Sequence, residues 1–277
     1  MSNYSSRGSR KPAGHQARKR FGQNFLHDMT VIDRIVRSIN PGAEELLVEI
    51  GPGLGAMTEP LLDTGVALTA VELDRDLIPV LRTKFFNYPN FNIIEADALK
   101  FNFQTLVKEG MPFRLVGNLP YNISTPLIFH LLELGPVVSD MHFMLQKEVV
   151  DRLAAKPGDG SYGRLSVMAQ YHCRVESLFN VGPGAFNPPP KVWSAIVRLV
   201  PHPEKPYPCR DEKVLSRVVR QAFAMRRKTL RNCLKKEIDT NGLESLGINP
   251  QARPETLSVG DFVNIADYVL EHPLTES

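Results

Sequence analysis

The sequence predicts an α/β protein: a doubly wound, mostly parallel sheet with an antiparallel hairpin at its edge, followed by a small C-terminal α-helical domain. Three observations predict it. Five short apolar runs are spaced for crossover helices, a glycine-rich loop follows the first run directly, and two later runs are joined by a proline-rich loop instead of a helix. Ahead of the sheet, Val31, Ile32, Ile35, Val36 and Ile39 recur at helical spacing and stop at Pro41-Gly42. Leu46 to Ile50, Ala67 to Leu73, Phe91 to Glu95, Phe113 to Gly117 and Met141 to Leu145 then read as strands covered on both faces. Met57 to Thr64 and Leu77 to Phe86 supply crossover helices between them. Arg174 to Val181 and Trp193 to Val200 form the edge hairpin around GPGAFNPPPKV. VPHPEKPYP, with four prolines between 201 and 208, reads as a stiff linker. Beyond it Leu215, Val218, Val219, Ala222, Met225, Leu230 and Leu234 predict an apolar helical stripe, with Arg217, Arg220, Arg227, Arg231 and Lys235 mostly on another side. Three segments result: a basic arm over 1–20, a sheet domain over 21–203 and a helical domain over 204–277. The stretch AKPGDGSYG at 155–163 has loop composition.

With 277 residues, 43% hydrophobic and 23% charged, the chain is ordinary globular material, and no apolar stretch approaches the roughly 20 residues of a membrane helix. The first twenty residues lack the apolar segment of a secretory signal, so a soluble cytoplasmic protein is expected. Cys173, Cys209 and Cys233 are odd in number and far apart, and the seven histidines show no ligand spacing. Neither a disulfide framework nor a metal centre is expected. The net charge of +3 conceals an uneven distribution: +6 on residues 1–20 and +9 on residues 205–236 leave −12 on the remainder. Basic segments on an otherwise acidic chain fit either a polyanionic partner or a flexible arm and a solvated helix face.

Leu46 to Ile50 runs straight into Gly51-Pro52-Gly53-Leu54-Gly55-Ala56. Glycines there let the backbone turn sharply and let a ligand lie against the chain. Glu72, at the end of the second strand, is placed to accept from ribose hydroxyls. A nucleoside-containing cofactor follows, and the loop alone leaves NAD and S-adenosylmethionine equally open. Asp97, in Glu95-Ala96-Asp97-Ala98, adds a carboxylate one strand along, suited to an adenine amino group or to capping a helix.

Asn118-Leu119-Pro120-Tyr121 ends the fourth strand. An exocyclic amine on a base is a poor nucleophile because its lone pair is delocalised into the ring. A side-chain amide oxygen and a backbone carbonyl that accept its two N–H bonds turn the lone pair towards an electrophilic methyl, and proline stiffens the chain presenting them. Asn118 and the backbone near Leu119 suit the acceptors, and Tyr121 a stacking platform worth about 1–3 kcal/mol. An Asn-capped turn containing a proline is the plainer reading of the same four residues.

FGQNFL at 21–26, VEIGPGLGAMT at 48–58, VELD at 71–74, EADAL at 95–99, NLPYNIS at 118–124, QKEV at 146–149, FNPPPKVWSA at 186–195 and QAFAMRRKTLRN at 221–232 together resemble the small-subunit ribosomal RNA adenine N6,N6-dimethyltransferases, the kasugamycin-sensitivity family. The resemblance covers nearly the whole chain after the arm. It implies a Rossmann-like sheet of the class I S-adenosylmethionine-dependent methyltransferases. The implied activity is transfer of four methyl groups, two to each of two adjacent adenosines near the 3′ end of small-subunit rRNA. By position, Asn24, Leu26, Gly51, Gly53, Glu72, Asp97 and Asn118 are expected to line the cofactor, with Asn118, Leu119, Pro120 and Tyr121 at the target amine. Tyr121 and Phe186 would sandwich the target adenine. From spacing alone, QNFL is only a lead-in to the first helix, and Phe186 before Asn187-Pro188 a loop pin.

Arg226, Arg227, Lys228 and Arg231 are the charges expected on RNA phosphates. The expected partner is the rRNA of a pre-30S-type small-subunit particle, and nothing in the sequence demands more than a monomer. Three other readings stand beside this one: a large-subunit rRNA adenine methylase, a binding factor that monitors ribosome assembly, and a nicotinamide dehydrogenase.

Overall fold

The computed structural model describes residues 24–107, 110–225 and 227–274. In chain order the elements are β1 (Phe25–Leu26), α1 (Met29–Ile39), β2 (Leu46–Ile50), α2 (Thr58–Leu62), β3 (Ala67–Glu72), α3 (Leu77–Lys84), β4 (Phe91–Glu95) and β5 (Phe113–Asn118). There follow α4 (Ser124–Leu132), β6 (Val138–Gln146), α5 (Lys147–Ala154), α6 (Arg164–His172), β7 (Cys173–Val181), β8 (Phe186–Asn187) and β9 (Ser194–Pro201). The helices α7 (Glu212–Ala222), α8 (Leu230–Cys233), α9 (Thr240–Ser245) and α10 (Val259–Glu271) complete the described chain.

Seven strands form one sheet in the order β4-β3-β2-β5-β6-β9-β7. The first five of these are parallel, and β9 runs antiparallel to both β6 and β7. The chain travels outwards from β2 to β4 and then returns to lay β5 against the other side of β2. That reversal makes the carboxyl ends of β2 and β5 the switch point, where open α/β sheets hold their ligands. The central strands are apolar on both faces because each face is covered. Val48, Leu115 and Phe143 enter one core with α4 and α5, while Leu47, Val116 and Met144 enter the other with α1, α2 and α3. A third core joins Tyr162, Val167, Met168 and Tyr171, around α6, to residues of the C-terminal helices such as Leu215, Leu230 and Phe262.

At the amino ends of β5 and β6, opposite the switch point, Arg114 is buried among carboxylates. It donates to Asp140 through Nε (2.7 Å) and Nη2 (3.0 Å), and to Glu45 through Nη1 (2.8 Å). Nη2 also donates to the Ile39 carbonyl at 2.7 Å, so one guanidinium ties the last turn of α1 to two strands. Asp28 caps the other end of α1 by accepting from the Thr30 and Val31 N–H groups.

Two expectations change. The single stripe from Leu215 to Leu234 is broken: α7 stops at Ala222, Arg227 takes φ +63°, and α8 starts only at Leu230. Met225, read as part of the apolar face, is 40% exposed as a result. QNFL is more than a helix lead-in, because Phe25 and Leu26 pair antiparallel with Asn187 and Phe186. The His27 N–H extends this ladder to the Ala185 carbonyl. The loop at 155–163 is tied to the C-terminal helices by the Gly158 N–H, which donates to the Glu255 carbonyl at 2.7 Å. The basic arm, residues 21–23 and Arg226 lie outside the described residues. Among the described residues no helix is long and apolar enough to cross a membrane.

Candidate active site

A cavity of about 510 Å³ opens at the switch point, within the size range of small-ligand sites. Its walls are the ends of β2, β3 and β5, the segment after β4, and the β1 ladder. Asn24, Leu26, Gly51, Gly53, Glu72, Asp97, Asn118, Leu119, Pro120 and Tyr121 all line it. Chain positions as far apart as 24 and 121 therefore meet in one space.

The glycine loop is shaped by what must lie on it. Gly53 has φ +60°, and a Cβ there would sit 3.2 Å from the Phe25 ring, so β1 packs directly on the loop. Gly117 is excluded from change for another reason: its Cβ would meet the Ile50 carbonyl at 2.6 Å. The backbones of β2 and β5 approach that closely just before Asn118, which fixes the distance between the glycine loop and the amide.

Asn118 is the last residue of β5, half-buried, and its Nδ2 donates to the Asn24 carbonyl at 3.2 Å. One N–H of the amide is thus committed to the β1 lead-in, and Oδ1 is an acceptor on a side chain that lines the cavity. The Leu119 N–H continues the ladder to the Met144 carbonyl, and the Ile123 N–H closes a turn onto the Pro120 carbonyl. The Tyr121 hydroxyl lies 2.6 Å from Ser194 Oγ, a fully buried group at the start of β9, so the ring is held from its far end. Burial raises the Tyr121 pKa, against a smaller opposing effect of the Ser194 bond.

Three carboxylates face the cavity. Glu72 is buried, and burial raises its pKa despite bonds from the Asp74, Gly53 and Leu73 N–H groups. Asp97 Oδ1 accepts from the Leu99 N–H at 3.0 Å, as an Asx turn does. The third was missed. Glu49, the next-to-last residue of β2, accepts from Thr58 Oγ1 at 2.6 Å, and burial, with the Glu72 charge adding to it, pushes its pKa up to about 7. The signal was available, since a lone Glu inside the apolar run Leu46 to Ile50 has no structural need. Asn187, from β8, also lines the cavity unforeseen.

Among the described residues the lining includes no lysine and no arginine. The carboxylates of Glu49, Glu72 and Asp97 in the wall are complementary to a sulfonium and an ammonium.

Residues 14–271 match the family described as ribosomal RNA adenine dimethylase. The chain belongs to that family. A ribosomal RNA small subunit methyltransferase A of Hahella chejuensis is 72% identical over 94% of this chain and 96% of its own. One from Pseudomonas syringae pv. tomato is 61% identical over 95% and 98%. Among solved structures, a dimethyladenosine transferase from Plasmodium falciparum superposes with a TM-score of 0.73 at 26% identity, covering 87% of this chain and 95% of that one. The 23S rRNA methyltransferase ErmE gives 0.69 at 26% identity over 89% and 99%. The family and the fold are those that the sequence motifs led one to expect.

Within this adenine dimethylase, two predicted site groups are not gathered at the cavity. Phe186 is buried to 2% exposure beside Leu26 in the core and is not a lining residue. Register explains it: in β8, Asn187 takes the cavity side and Phe186 the core side. Arg227, Lys228 and Arg231 are exposed in the break after α7 and at α8, and pair with no described acid. Arg217, on α7 itself, is engaged by Glu237 at 3.1 Å.

Proposed function

We propose that this protein transfers methyl groups from S-adenosylmethionine to the exocyclic N6 amines of two adjacent adenosines near the 3′ end of small-subunit rRNA, dimethylating each. The observation that carries this reading is Asn118: its Nδ2 is tethered to the Asn24 carbonyl, and its side chain lines the cavity shared with Glu72 and the glycine loop. Bound there, the cofactor supplies a methyl group on a sulfonium. Glu72 would accept from its ribose hydroxyls and Asp97 from its adenine amine, with Gly51 and Gly53 giving backbone approach and Asn24 and Leu26 covering it.

The target adenine would stack on Tyr121, which Ser194 holds in place. Its two N–H bonds would go to Asn118 Oδ1 and to the Leu119 carbonyl, since the Pro120 carbonyl is occupied by the Ile123 N–H. The alkylated amine is acidic enough to release its proton to solvent, so no strong base is required of the chain. With Phe186 in the core, stacking falls to Tyr121, and Phe186 serves to hold β8 against β1. We assign residues 21–203 to the methyltransferase domain and 204–277 to a helical RNA-binding domain. Arg227, Lys228 and Arg231, with Arg226 beside them in sequence, would lie on rRNA phosphates of a pre-30S-type particle. The protein would act in the cytoplasm as a monomer.

The test is labelled methyl transfer from S-adenosylmethionine to undermethylated small subunits, with the products identified by mass spectrometry. The wild type is expected to yield N6,N6-dimethyladenosine at two neighbouring positions. Asn118→Ala is expected to bind cofactor normally and to lose roughly 10²–10³-fold in rate, as when one preorganised polar group is removed from a transition state. Wild-type turnover by Asn118→Ala would overturn the mechanism.

A further inference from the structure

We propose that Arg164 and Arg220 form a clamp for a single RNA phosphate at the seam between α6 and α7, so that one stretch of RNA backbone is held by the sheet domain and the helical region together. This rests on the rRNA-directed reading above.

The two helices pack antiparallel, and a contact at each end shows it. At one end the Tyr171 hydroxyl, from the last turn of α6, donates to Glu212 Oε1 at the start of α7 (3.1 Å). At the other, the Tyr162 ring meets the Phe223 ring edge-on with centroids 6.3 Å apart. Arg164 is the first residue of α6 and Arg220 lies in the last turn of α7, so both fall at this second end. The Arg164 guanidinium sits 4.7 Å over the Phe129 ring of α4, which fixes it in position, and its Nε is buried with no hydrogen-bond partner. Arg220 is exposed and pairs with no described acid.

The groups around Arg164 are of one sign. Burial and the Arg220 charge both disfavour its charged form, and no acid opposes them. Asp261, whose charge acts on Tyr162 at this end, is engaged by the Ser258 N–H (2.8 Å) and the Ser258 hydroxyl (2.7 Å) at the start of α10. Two arginines placed at the same end of a packed helix pair, neither paired with a described acid, form a site for an oxyanion, because a phosphodiester between them offsets both charges. Continuity points to RNA as the source of the anion. The exposed Arg227 and Lys228 lie four and five residues after Phe223, so the clamp extends that basic loop across the seam onto α6.

The experiment is a titration of undermethylated small subunits with full-length wild type, Arg164→Gln, Arg220→Gln and the double variant over a series of salt concentrations. Cofactor affinity is measured on each protein by calorimetry as the control for folding. Each single variant is expected to lose about 0.7–0.9 from the slope of log affinity against log salt, one phosphate contact. The double variant is expected to lose the same amount and not twice as much, since both side chains hold one group. Arg220→Lys should restore most of the slope. An unchanged slope in Arg220→Gln, whose side chain is exposed and safe to replace, overturns the clamp. Additive losses in the double variant also overturn it, as do equal losses caused by an acidic peptide competitor that leaves the salt slope intact. Wild-type protein that binds and methylates the subunits keeps the functional reading in place whatever the arginines do, and wild-type protein that fails to methylate them removes that reading first.

Discussion

Glu49 occupies a position in β2 that any aliphatic residue would fill, and it is 1% exposed. Its carboxyl ordinarily titrates near 4.5 and is pushed to about 7 in the fold. The folded state therefore holds a proton that the unfolded chain releases between those two values, and stability should fall as pH rises from 4.5 to 7, by about 3 kcal/mol, and level off above it. Glu49→Gln keeps the shape and removes the titration, so its denaturant midpoint should be flat across the same window. Cofactor affinity gives the second readout. A cationic ligand should bind the wild type more tightly as pH rises through about 7, and Glu49→Gln should lack that rise; parallel pH profiles for the two proteins would refute this role. Asn118 shows the complementary lesson. Its residue type and place at a strand tip were legible in the sequence, but the orientation of its amide was not, because that depends on a carbonyl ninety-four positions away.

Among the elements, β5 bears the most opposed demands: a charged side chain at its start, close backbone approach to β2 near its end, and the site residue Asn118 as its last member. Arg114 neutralises Asp140 there with its side chain almost wholly buried. Arg114→Gln would leave Asp140 buried without its bidentate partner, a loss of about 3–5 kcal/mol measurable by urea denaturation. The sign with pH is opposite to that of Glu49. The Arg114 bonds and the charges of His142 and Arg114 outweigh burial and hold Asp140 below its ordinary 3.8. Its contribution is thus complete above 3.8 and vanishes as pH falls through the lower folded value. In Arg114→Gln the acid limb of the stability curve should move to higher pH, and an unmoved limb would show that Arg198 suffices for Asp140. Strand positions were readable because burial on both faces forces apolar runs. The two-residue ladder of β1 and β8 was not, since neither partner is long enough to show a period. The break after Ala222 escaped notice because Leu230 lies eight residues on, close to two helical turns, and so mimics continuity.

Across the whole molecule the charge is segregated, and the positive groups of 205–236 divide into two kinds. Some, like Arg217, are tied to acids, while Arg227, Lys228 and Arg231 stand free in and beside the helix break. Replacing those three with Glu should weaken binding to small subunits at low salt and reduce the salt slope by roughly 2–3, since each lost phosphate contact removes about 0.7–0.9. Binding with an unchanged slope would return these side chains to solvent. Methyl transfer to a short single-stranded adenosine should suffer far less, because none of the three is a lining residue of the cavity.

The sequence alone determined the sheet, its glycine loop, the strand-tip Asn118 and the family, because each rests on local rules: burial sets strand composition, turns need glycine, and motif spacing is written along the chain. Tertiary structure decided what local rules cannot reach. It tethered Asn118 to the Asn24 carbonyl at the cavity wall, placed a protonatable Glu49 in that wall, put Phe186 in the core and packed α6 against α7 with Arg164 and Arg220 at one end. Each of these depends on groups distant in the chain meeting in space, and hydrogen bonds and charge act through that distance and not through sequence separation.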